Sequence, residues 1–359
     1  MVDPSFLSKR ESINYHLIMA NKSIKHHYIP QFILRNFLDD NGLFCYWDNE
    51  NKYLSKRSTK SVFMNDSMYE SEEINSDNPV ETEDNLAKFE QEVSPLFKRL
   101  CLPEEIVLTR RELEKLRIFL TLLSFRSDLR MKQYKEKRFT KSTEDILNAF
   151  KGDQDFDFFW KNEINAIAKC RSFDEIMSLD VVDPIIKMDF SNDLKGLYMT
   201  LIEARGQEFI ISDVYPTLEI FPVAPTINMH LHLIYPITPT RAILLNNIFF
   251  RNQLRNESDP VYGPMIRFSK IKGQMLKEPK NHYLKGPIVY TPDDKFFYKP
   301  VKIYEEDVIY INKLFLNEVR NGFAFRNPQK VLESIKKYNS TYREYNKNNY
   351  DYLEKKLEE

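Results

Sequence analysis

The segment from Thr109 to about Lys137 constrains the fold more than any other part of the chain. Thr109 and Glu112 have the spacing of a capping box, which begins an α-helix. From Ile118 to Phe125 the segment is apolar on almost every side. A helix of this kind is stable only when other elements cover it all round. We therefore predict a helix that continues to about Lys137 and lies at the centre of the molecule.

The hydrophobic spacing elsewhere predicts both helices and strands. The predicted elements are a hairpin over residues 43–47 and 53–59, helices over 83–100, 142–205 and 308–323, and strands over 209–211 and 227–234. Pro95 should kink the first of these helices. The pattern predicts an α+β fold, in which a helical core carries a small N-terminal β-hairpin and a C-terminal mixed or antiparallel sheet.

We predict one domain over residues 25–330, with a short extension at each end. Residues 1–24 read as an arm, and residues 331–359 as a charged, solvated helix with little core of its own. The domain itself divides into a first segment with its hairpin (25–60), a helical core (83–205), and a strand-rich half with a closing helix (207–330).

Several classes of function are disfavoured by composition. The three cysteines lie far apart, without the spacing of a disulfide framework or a thiolate zinc site. The N-terminus lacks a signal-peptide pattern, and the longest apolar run is much shorter than a bilayer span, so we expect a cytoplasmic protein without a membrane partner. With 8 glycines and no glycine-rich loop, a nucleotide cofactor is disfavoured, whereas a divalent metal stays open.

The net charge of -1 conceals two segments of opposite sign. Residues 65–93 hold ten carboxylates and one lysine, whereas residues 265–302 hold nine basic residues and three carboxylates. The basic segment also contains aromatic residues, so it could neutralise phosphates and stack on bases. Its first basic residues, Arg267, Lys270 and Lys272, are candidate ligand contacts. The alternative is a solvated loop. A second basic run, residues 130–141, could add to one positive surface.

The run from His26 to Phe37 reads His-His-Tyr-Ile-Pro-Gln-Phe-Ile-Leu-Arg-Asn-Phe. It resembles the opening signature of the family catalogued as domain of unknown function 4238. The resemblance continues, in the family's order, through the hairpin, the helix of Glu90, the helix of Arg126, the strand that ends at Asp213, and the helix around Asn312. After Asp213 the family usually has Asn-Pro, where this chain has Val-Tyr-Pro. The resemblance implies a bacterial or phage protein with a shared site, and supplies candidate residues but no reaction.

The N-terminal candidates are His26, His27, Gln31 and Arg35. Neighbours in an extended segment face opposite sides, so the two histidines should have different roles. One of them could act as a general base, although both could instead order the turn before Pro30. Gln31 and Arg35 lie one helical turn apart, and Arg35 could bind phosphate or pair with a nearby aspartate.

Polar residues within apolar stripes supply further candidates. Glu90 falls on the apolar face of its helix, where it needs a cation, and we predict a buried contact with Arg126. That pair could be catalytic, or it could only tie two helices together. Asn312 falls within another apolar stripe. It could contact a substrate, or it could be a buried amide that binds loop carbonyls.

The strand-rich half supplies the last three candidates. Asp213 ends an apolar strand, where it could be catalytic or could only form a turn. His230 and His232 are two residues apart on a predicted strand, so both rings should emerge from one face as candidate metal ligands. A half-exposed structural strand gives the same alternation.

These candidates lead to two hypotheses about function. The first is an effector-type, nuclease-like enzyme that acts on nucleic acid in phage defence or toxicity. In it, His26 or His27 is the base, Glu90 or Asp213 supplies a carboxylate, and Arg35 or Arg126 stabilises phosphate charge. The second is a non-catalytic binding component of a larger assembly with a protein partner. An enzyme is favoured if these residues meet in one open pocket.

Overall fold

The computed structural model describes residues 25–224, 227–248, 268, 274–277, 291, 294–341 and 347–359. The fold is α+β, as predicted, with a helical half and a strand-rich half. The described residues form two hydrophobic cores. The first core extends from Tyr28 to Ala324 and the second from Cys45 to Leu357, so each draws on both ends of the chain.

The helical half is built around the predicted central segment. A short helix α1 (Gln31–Leu34) precedes the long α2 (Glu81–Leu100), and α3 (Arg110–Phe125) begins at the Thr109 capping box. The next helices are α4 (Asp128–Lys135), α5 (Lys141–Lys151), α6 (Phe156–Lys169), α7 (Phe173–Ser178) and α8 (Pro184–Ser191).

For two of the helices predicted in this half, the predicted range of residues was wrong. The central helix ends at Phe125, because Ser127 accepts the N–H of Arg130 and caps a separate helix, α4. Residues 142–205 are not helical throughout, since strand β6 occupies Leu197–Ala204. Its first six residues are buried, and such a short apolar run gives the same signal for a buried helix and a buried strand.

Within the described residues, four sheets accompany the helices, and their strands are numbered along the chain. The strands are β1 (Lys25–His27), β2 (Phe44–Asp48), β3 (Tyr53–Arg57), β4 (Met64–Asp66), β5 (Ile106–Thr109), β6, β7 (Ile211–Ser212), β8 (Thr217–Ala224), β9 (Ile227–Thr238), β10 (Arg241–Asn247), β11 (Gln274–Lys277), β12 (Lys295–Tyr298), β13 (Val301–Ile303) and β14 (Gly322–Phe325).

The largest of these sheets has the strand order β13-β6-β10-β9-β8, and it is mixed because β13 runs parallel to β6. The predicted hairpin, β2 and β3, belongs to a four-stranded antiparallel sheet with β14 and β7. The smaller sheets are β11-β12-β5 and β1-β4. The pairing of β14 with β2, from Gly322 with Asp48 to Phe325 with Cys45, joins residues that are 274 to 280 positions apart in the sequence, which no local pattern predicts.

The His26–Phe37 segment packs on the two helices that carry Glu90 and Arg126, as predicted. Its Phe32 ring lies 5.1 Å from the ring of Phe97 on α2 and 6.2 Å from that of Phe119 on α3. Ile33 is fully buried in the same core. The signature is therefore part of the first core and not an exposed arm.

The C-terminal segment differs from the solvated helix that we predicted. After helix α9 (Glu305–Glu318), the chain forms α10 (Leu332–Ser340) and α11 (Asp351–Glu358). Ile335, Tyr350 and Leu353 are fully buried in the second core. The high charge of this segment lies on the outer faces of two amphipathic helices, and it concealed the apolar stripe. No helix of the described residues is long and apolar enough to cross a membrane.

Candidate functional site

The two signature histidines face opposite sides of β1, as predicted, and neighbours hold both rings. His26 is buried, its ring stacks on Tyr69 at 5.6 Å, and its Nδ1 accepts the Tyr69 N–H at 3.2 Å. His27 is half-buried; its Nε2 donates to the Thr59 carbonyl at 2.9 Å, and its Nδ1 accepts from Gln31 at 3.4 Å. Burial lowers the pKa of both imidazoles, which favours neutral rings.

Gln31 and Arg35 extend this polar chain along the surface. The Arg35 guanidinium donates to the Gln31 side-chain oxygen at 3.5 Å. Asp39, one of the partners considered for Arg35, pairs with Lys56 at 2.7 Å instead. Arg35 is exposed, and the contact with Gln31 is long. The pair therefore supports His27 from the solvent side.

Glu90 and Arg126 form the predicted contact, with 2.6 Å between Oε1 and a guanidinium nitrogen. The Arg126 side chain is 1% exposed, whereas that of Glu90 is 25% exposed, so the carboxylate reaches the surface. Both charges act on the pKa of His27, which places these three residues in one group. Burial raises the pKa of Glu83, on the same helix, to about 7, although Arg126 opposes the shift.

Asp213 belongs to a second group. Its carboxylate accepts the backbone N–H of Arg320 at 3.2 Å and that of Asn321 at 2.6 Å. Burial raises the pKa of Asp213 to about 6, and the charge of Asp128 adds to the shift. Asp128 is also buried; it accepts from Asn65 at 2.7 Å and from Asn321 at 3.5 Å.

The predicted catalytic set thus divides between two places. His27, Glu90 and Arg126 lie together, while Asp213 lies with Asp128. None of the predicted residues in either group lines a neighbouring cavity of about 580 Å³. The two groups stand next to each other, because Asp128 is two residues beyond Arg126, and they do not meet in one open pocket.

We call this cavity of about 580 Å³ the outer cleft. One wall is formed by Ser124, Ser127 and α4 with the residues beyond it, and the other by residues 214–218 with Glu318, Arg320 and Lys347. Five basic side chains line the outer cleft: Arg130, Lys132, Arg138, Arg320 and Lys347. Glu318 is the carboxylate among its lining residues. Asp213 accepts a hydrogen bond from the backbone N–H of Arg320 in one wall. Asp128 forms an ion pair at 2.8 Å with Lys132 in the other wall.

A smaller cavity of about 50 Å³, the inner compartment, adjoins the outer cleft and shares Ser124, Arg130 and Leu218 with it. Asp189, Asp193 and His230 line this compartment. Of the residues predicted from the sequence as site candidates, His230 lies in this inner compartment, next to the outer cleft.

The prediction that His230 and His232 share one face of β9 was wrong. His230 lies 3.5 Å from Asp193, whereas His232 contacts Asn246 at 2.8 Å and the ring of Phe268 at 5.2 Å. A bulge in the pairing of β8 with β9 separates them, since His232 pairs with Glu219 and His230 with Ile220. The bulge breaks the two-residue alternation on which the expected metal spacing depended. Within the described ranges, no group of three or more His, Cys, Asp and Glu side chains is arranged to hold a metal ion.

Asn312 matches its structural alternative. It is fully buried, accepts the Ile210 N–H at 3.1 Å, and donates to the Glu208 carbonyl at 2.8 Å and to Ser334 at 2.9 Å. These bonds join α9, α10 and the segment before β7. The candidate contacts Arg267, Lys270 and Lys272 lie outside the described residues.

Sequence reasoning found only part of the outer cleft. The basic run 130–141, noted as a positive surface, supplies Arg130, Lys132 and Arg138. Arg320 and Lys347 were missed because single basic residues near helix ends are common. Only the pairing of β14 with β2 and β7, together with the fold of the C-terminal helices, brings them to the same cleft.

The fold and the site define an α+β protein with a cationic cleft beside two groups of polar residues, one partly and one fully buried. The chain belongs to the family described as Protein of unknown function (DUF4238), whose model matches residues 25–355. The match includes α10 and most of α11, so the C-terminal helices are part of the family domain. No curated protein and no solved structure matches the chain.

Proposed function

We propose that the protein binds nucleic acid through its phosphate backbone in the outer cleft. The observation that carries the proposal is the convergence of five basic side chains, from three separate parts of the chain, on one cavity with a single lining carboxylate. Basic side chains that displace counterions from phosphates supply most of the affinity in non-specific nucleic-acid binding. Because the net charge is -1, the attraction has to come from a local patch of this kind.

Three of the five cations of the cleft are available to a ligand. Lys132 pairs with the buried Asp128, and Arg130 lies 3.6 Å from Asp189. The pairs of Arg138 with Glu136 and of Lys347 with Glu318 are exposed. Exposed pairs contribute roughly 0–1 kcal/mol, so phosphate oxygens can compete for Arg138 and Lys347. The exposed Arg320 guanidinium has no hydrogen-bond or ion-pair partner within the part of the chain that the structure describes.

The distribution of the cations fits a polymer better than a single small anion. Arg130 and Lys132 are two residues apart on α4 and so about 3 Å apart along its axis, and Arg138 lies beyond the end of that helix. Arg320 and Lys347 reach the same cleft from two other parts of the chain. Because successive phosphates advance only about 3.4 Å along each strand of a duplex, cations spread over one cleft can contact more than one phosphate.

We propose binding in preference to hydrolysis because of the state of the histidines. A general base needs a ring nitrogen within reach of its substrate. Both nitrogens of His27 are occupied by Thr59 and Gln31, and His26 is buried against Tyr69. Neither histidine lines the outer cleft. Their contacts support the alternative in which they order the signature segment.

Fluorescence anisotropy with labelled single-stranded and duplex oligonucleotides tests the proposal. The charge reversal Arg320→Glu should weaken binding at least tenfold, because a charge-assisted hydrogen bond contributes about 1.5–3 kcal/mol. The matched control is Arg111→Glu, which reverses an exposed arginine on α3 outside the cleft. Equal affinities of the two variants, or no measurable binding by the wild-type protein, would overturn the proposal.

A further inference from the structure

Arg130 is a charged residue that lines both the outer cleft and the inner compartment. On the side of the inner compartment, its guanidinium lies 3.6 Å from the carboxylate of Asp189. The guanidinium also donates to the side-chain oxygen of Gln133 at 3.0 Å. Arg130 and Asp189 are both half-buried, so neither is sealed in the core. Arg130 can therefore pair with Asp189 or with a phosphate in the outer cleft.

His230 and Asp193 form the second charged pair of the inner compartment. His230 Nδ1 lies 3.5 Å from Oδ1 of Asp193. The Asp193 side chain is 5% exposed, and Arg117 fixes its backbone by donating to the Asp193 carbonyl from the first core. A buried carboxylate is costly unless a cation accompanies it. His230 supplies that cation when its ring is protonated.

The charges that act on His230 come from the same compartment, whose other lining residues are neutral. A hydrogen bond with Asp193 raises the pKa of His230, and the charges of Asp193 and Asp189 act in the same direction. Burial of the ring and the charge of Arg130 oppose this shift. Asp183, at the N-terminus of α8, acts in turn on Asp189. His230 therefore loses its proton at a pH above the usual value of about 6.5.

The proton on His230 determines how strongly the carboxylates attract Arg130. When the ring is protonated, Asp193 pairs with His230 and Asp189 pairs with Arg130. When the ring is neutral, the charge of Asp193 is no longer balanced, so both carboxylates attract the guanidinium. A phosphate in the outer cleft competes for that guanidinium. Phosphate binding and protonation of His230 should therefore favour each other.

From this arrangement we infer that His230 and Asp193 are positioning residues of the phosphate site, and that the protonated His230 ring frees Arg130 for a phosphate in the outer cleft. The inference rests on the proposed function, because a bound phosphate is the group that takes Arg130 from Asp189. Arg138, Arg320 and Lys347 are then available at any pH near neutrality, and Arg130 joins them when His230 is protonated.

The test is the pH dependence of binding, measured by fluorescence anisotropy with a labelled single-stranded oligonucleotide between about pH 6 and about pH 8.5. Wild-type protein should bind at least about fivefold more tightly at the lower pH, the lower end of the range for coupling between two sites. His230→Gln cannot take up the proton and should lose most of this change. Because Asp213 also titrates near pH 6, the decisive quantity is the difference between wild type and His230→Gln. His27→Gln, which changes a half-buried histidine outside both cavities, is the matched control and should keep the wild-type profile.

A double variant separates an effect through Arg130 from the charge of the ring alone. In Arg130→Gln protein, the additional change His230→Gln should alter the affinity at low pH by less than about twofold. Thermal melting of each variant identifies any loss caused by unfolding.

NMR titration of His230 tests the same relationship without any oligonucleotide. The pKa of His230 should be higher in Arg130→Gln than in wild type, because the positive charge of Arg130 opposes protonation of the ring. It should be lower in Asp193→Asn, which loses the carboxylate beside the ring.

The possible results distinguish the inference from the proposed function. The inference is overturned if folded His230→Gln keeps the wild-type pH profile, or if it loses as much affinity in Arg130→Gln protein as in wild type. An unchanged pKa of His230 in Arg130→Gln would also overturn it, whether or not an oligonucleotide binds. If wild-type protein binds no oligonucleotide at any pH, the proposed function fails, and the role of Arg130 in phosphate binding fails with it.

Discussion

The carboxylate of Asp213 accepts the backbone N–H of Arg320 at 3.2 Å. This bond joins a residue of the predicted catalytic set to one that sequence reasoning missed. Asp213 also accepts the Asn321 N–H, and Asn321 in turn reaches Asp128 on α4. The buried carboxylates thus hold the walls of the outer cleft in place, and Asp213 is a positioning residue for Arg320.

Because burial raises the pKa of Asp213 to about 6, its contribution to the free energy of unfolding should depend on pH. An aspartate in the unfolded chain has a pKa near 3.9, so between these values the folded protein holds a proton that the unfolded chain releases. Stability from this group is present below about pH 4 and lost as pH rises through about 6. Relative to Asp213→Asn, the wild-type free energy of unfolding should fall by roughly 2–3 kcal/mol between pH 4 and pH 7. Urea titrations of both proteins at each pH measure this free energy of unfolding. Parallel pH profiles of the two proteins would contradict the raised pKa of Asp213.

Glu163 and Asp183 form a buried acidic pair, in which Glu163 accepts the Asp183 N–H at 2.8 Å. Burial, and next the charge of Asp183, raise the pKa of Glu163 well above its usual value. The folded protein therefore keeps a proton that the unfolded chain loses above about pH 4.3. Glu163→Gln supplies a neutral side chain of the same shape, so it should stabilise the protein at pH 8 but not at pH 4. The exposed Glu73→Gln is the control, and a Glu163→Gln effect equal at both pH values would count against a protonated Glu163.

The contact between Glu90 and Arg126 predicts a large cost for removing one partner. Glu90→Ala leaves the guanidinium of Arg126 buried without its carboxylate. Because Glu90 is partly exposed, we expect about 3 kcal/mol, the lower end of the range for a broken buried pair. Chemical denaturation measures the loss, with the exposed Glu104→Ala as a control for the charge change. A cost below about 0.5 kcal/mol, as for a surface substitution, would show that Arg126 is satisfied in another way.

The alanine variants of the two histidines should differ in their loss of stability but should bind oligonucleotides equally well. His26→Ala removes a buried ring that stacks on Tyr69 and should cost about 2–3 kcal/mol, whereas His27→Ala loses mainly one hydrogen bond to Thr59, worth about 1 kcal/mol. In folded protein, both variants should bind oligonucleotides like the wild type, because neither histidine lines the outer cleft. Full stability of His27→Ala together with complete loss of a nuclease activity would restore the catalytic assignment.

Local pattern was sufficient for much of the helical half. The capping box at Thr109, the apolar face of α2 and the contact between Glu90 and Arg126 follow from helical periodicity alone. The end of the central helix did not follow, because Ser127 begins a new helix only one residue after Arg126, and a cap so close to an apolar helix resembles continuation.

Long-range pairing was the part that the sequence could not supply. The outer cleft depends on β14, which pairs with β2 and β7 and carries Arg320 to the wall opposite α4. The bulge in β9 likewise separates His230 from His232, although their spacing predicts a shared face. The first feature depends on pairing between strands that are distant in the sequence, and the second on an irregularity in the pairing of the neighbouring strands β8 and β9. The residue pattern of a single strand predicts neither.

The salt dependence of oligonucleotide binding tests the central claim, that the outer cleft binds phosphates, most directly. For single-stranded nucleic acid, the slope of log K against log salt concentration is about -0.7 for each phosphate neutralised. Arg320→Ala should therefore make the wild-type slope shallower by about 0.7, and Arg111→Ala, outside the cleft, should leave it unchanged. If the two variants retain the same slope as the wild type, the outer cleft is not the phosphate-binding site.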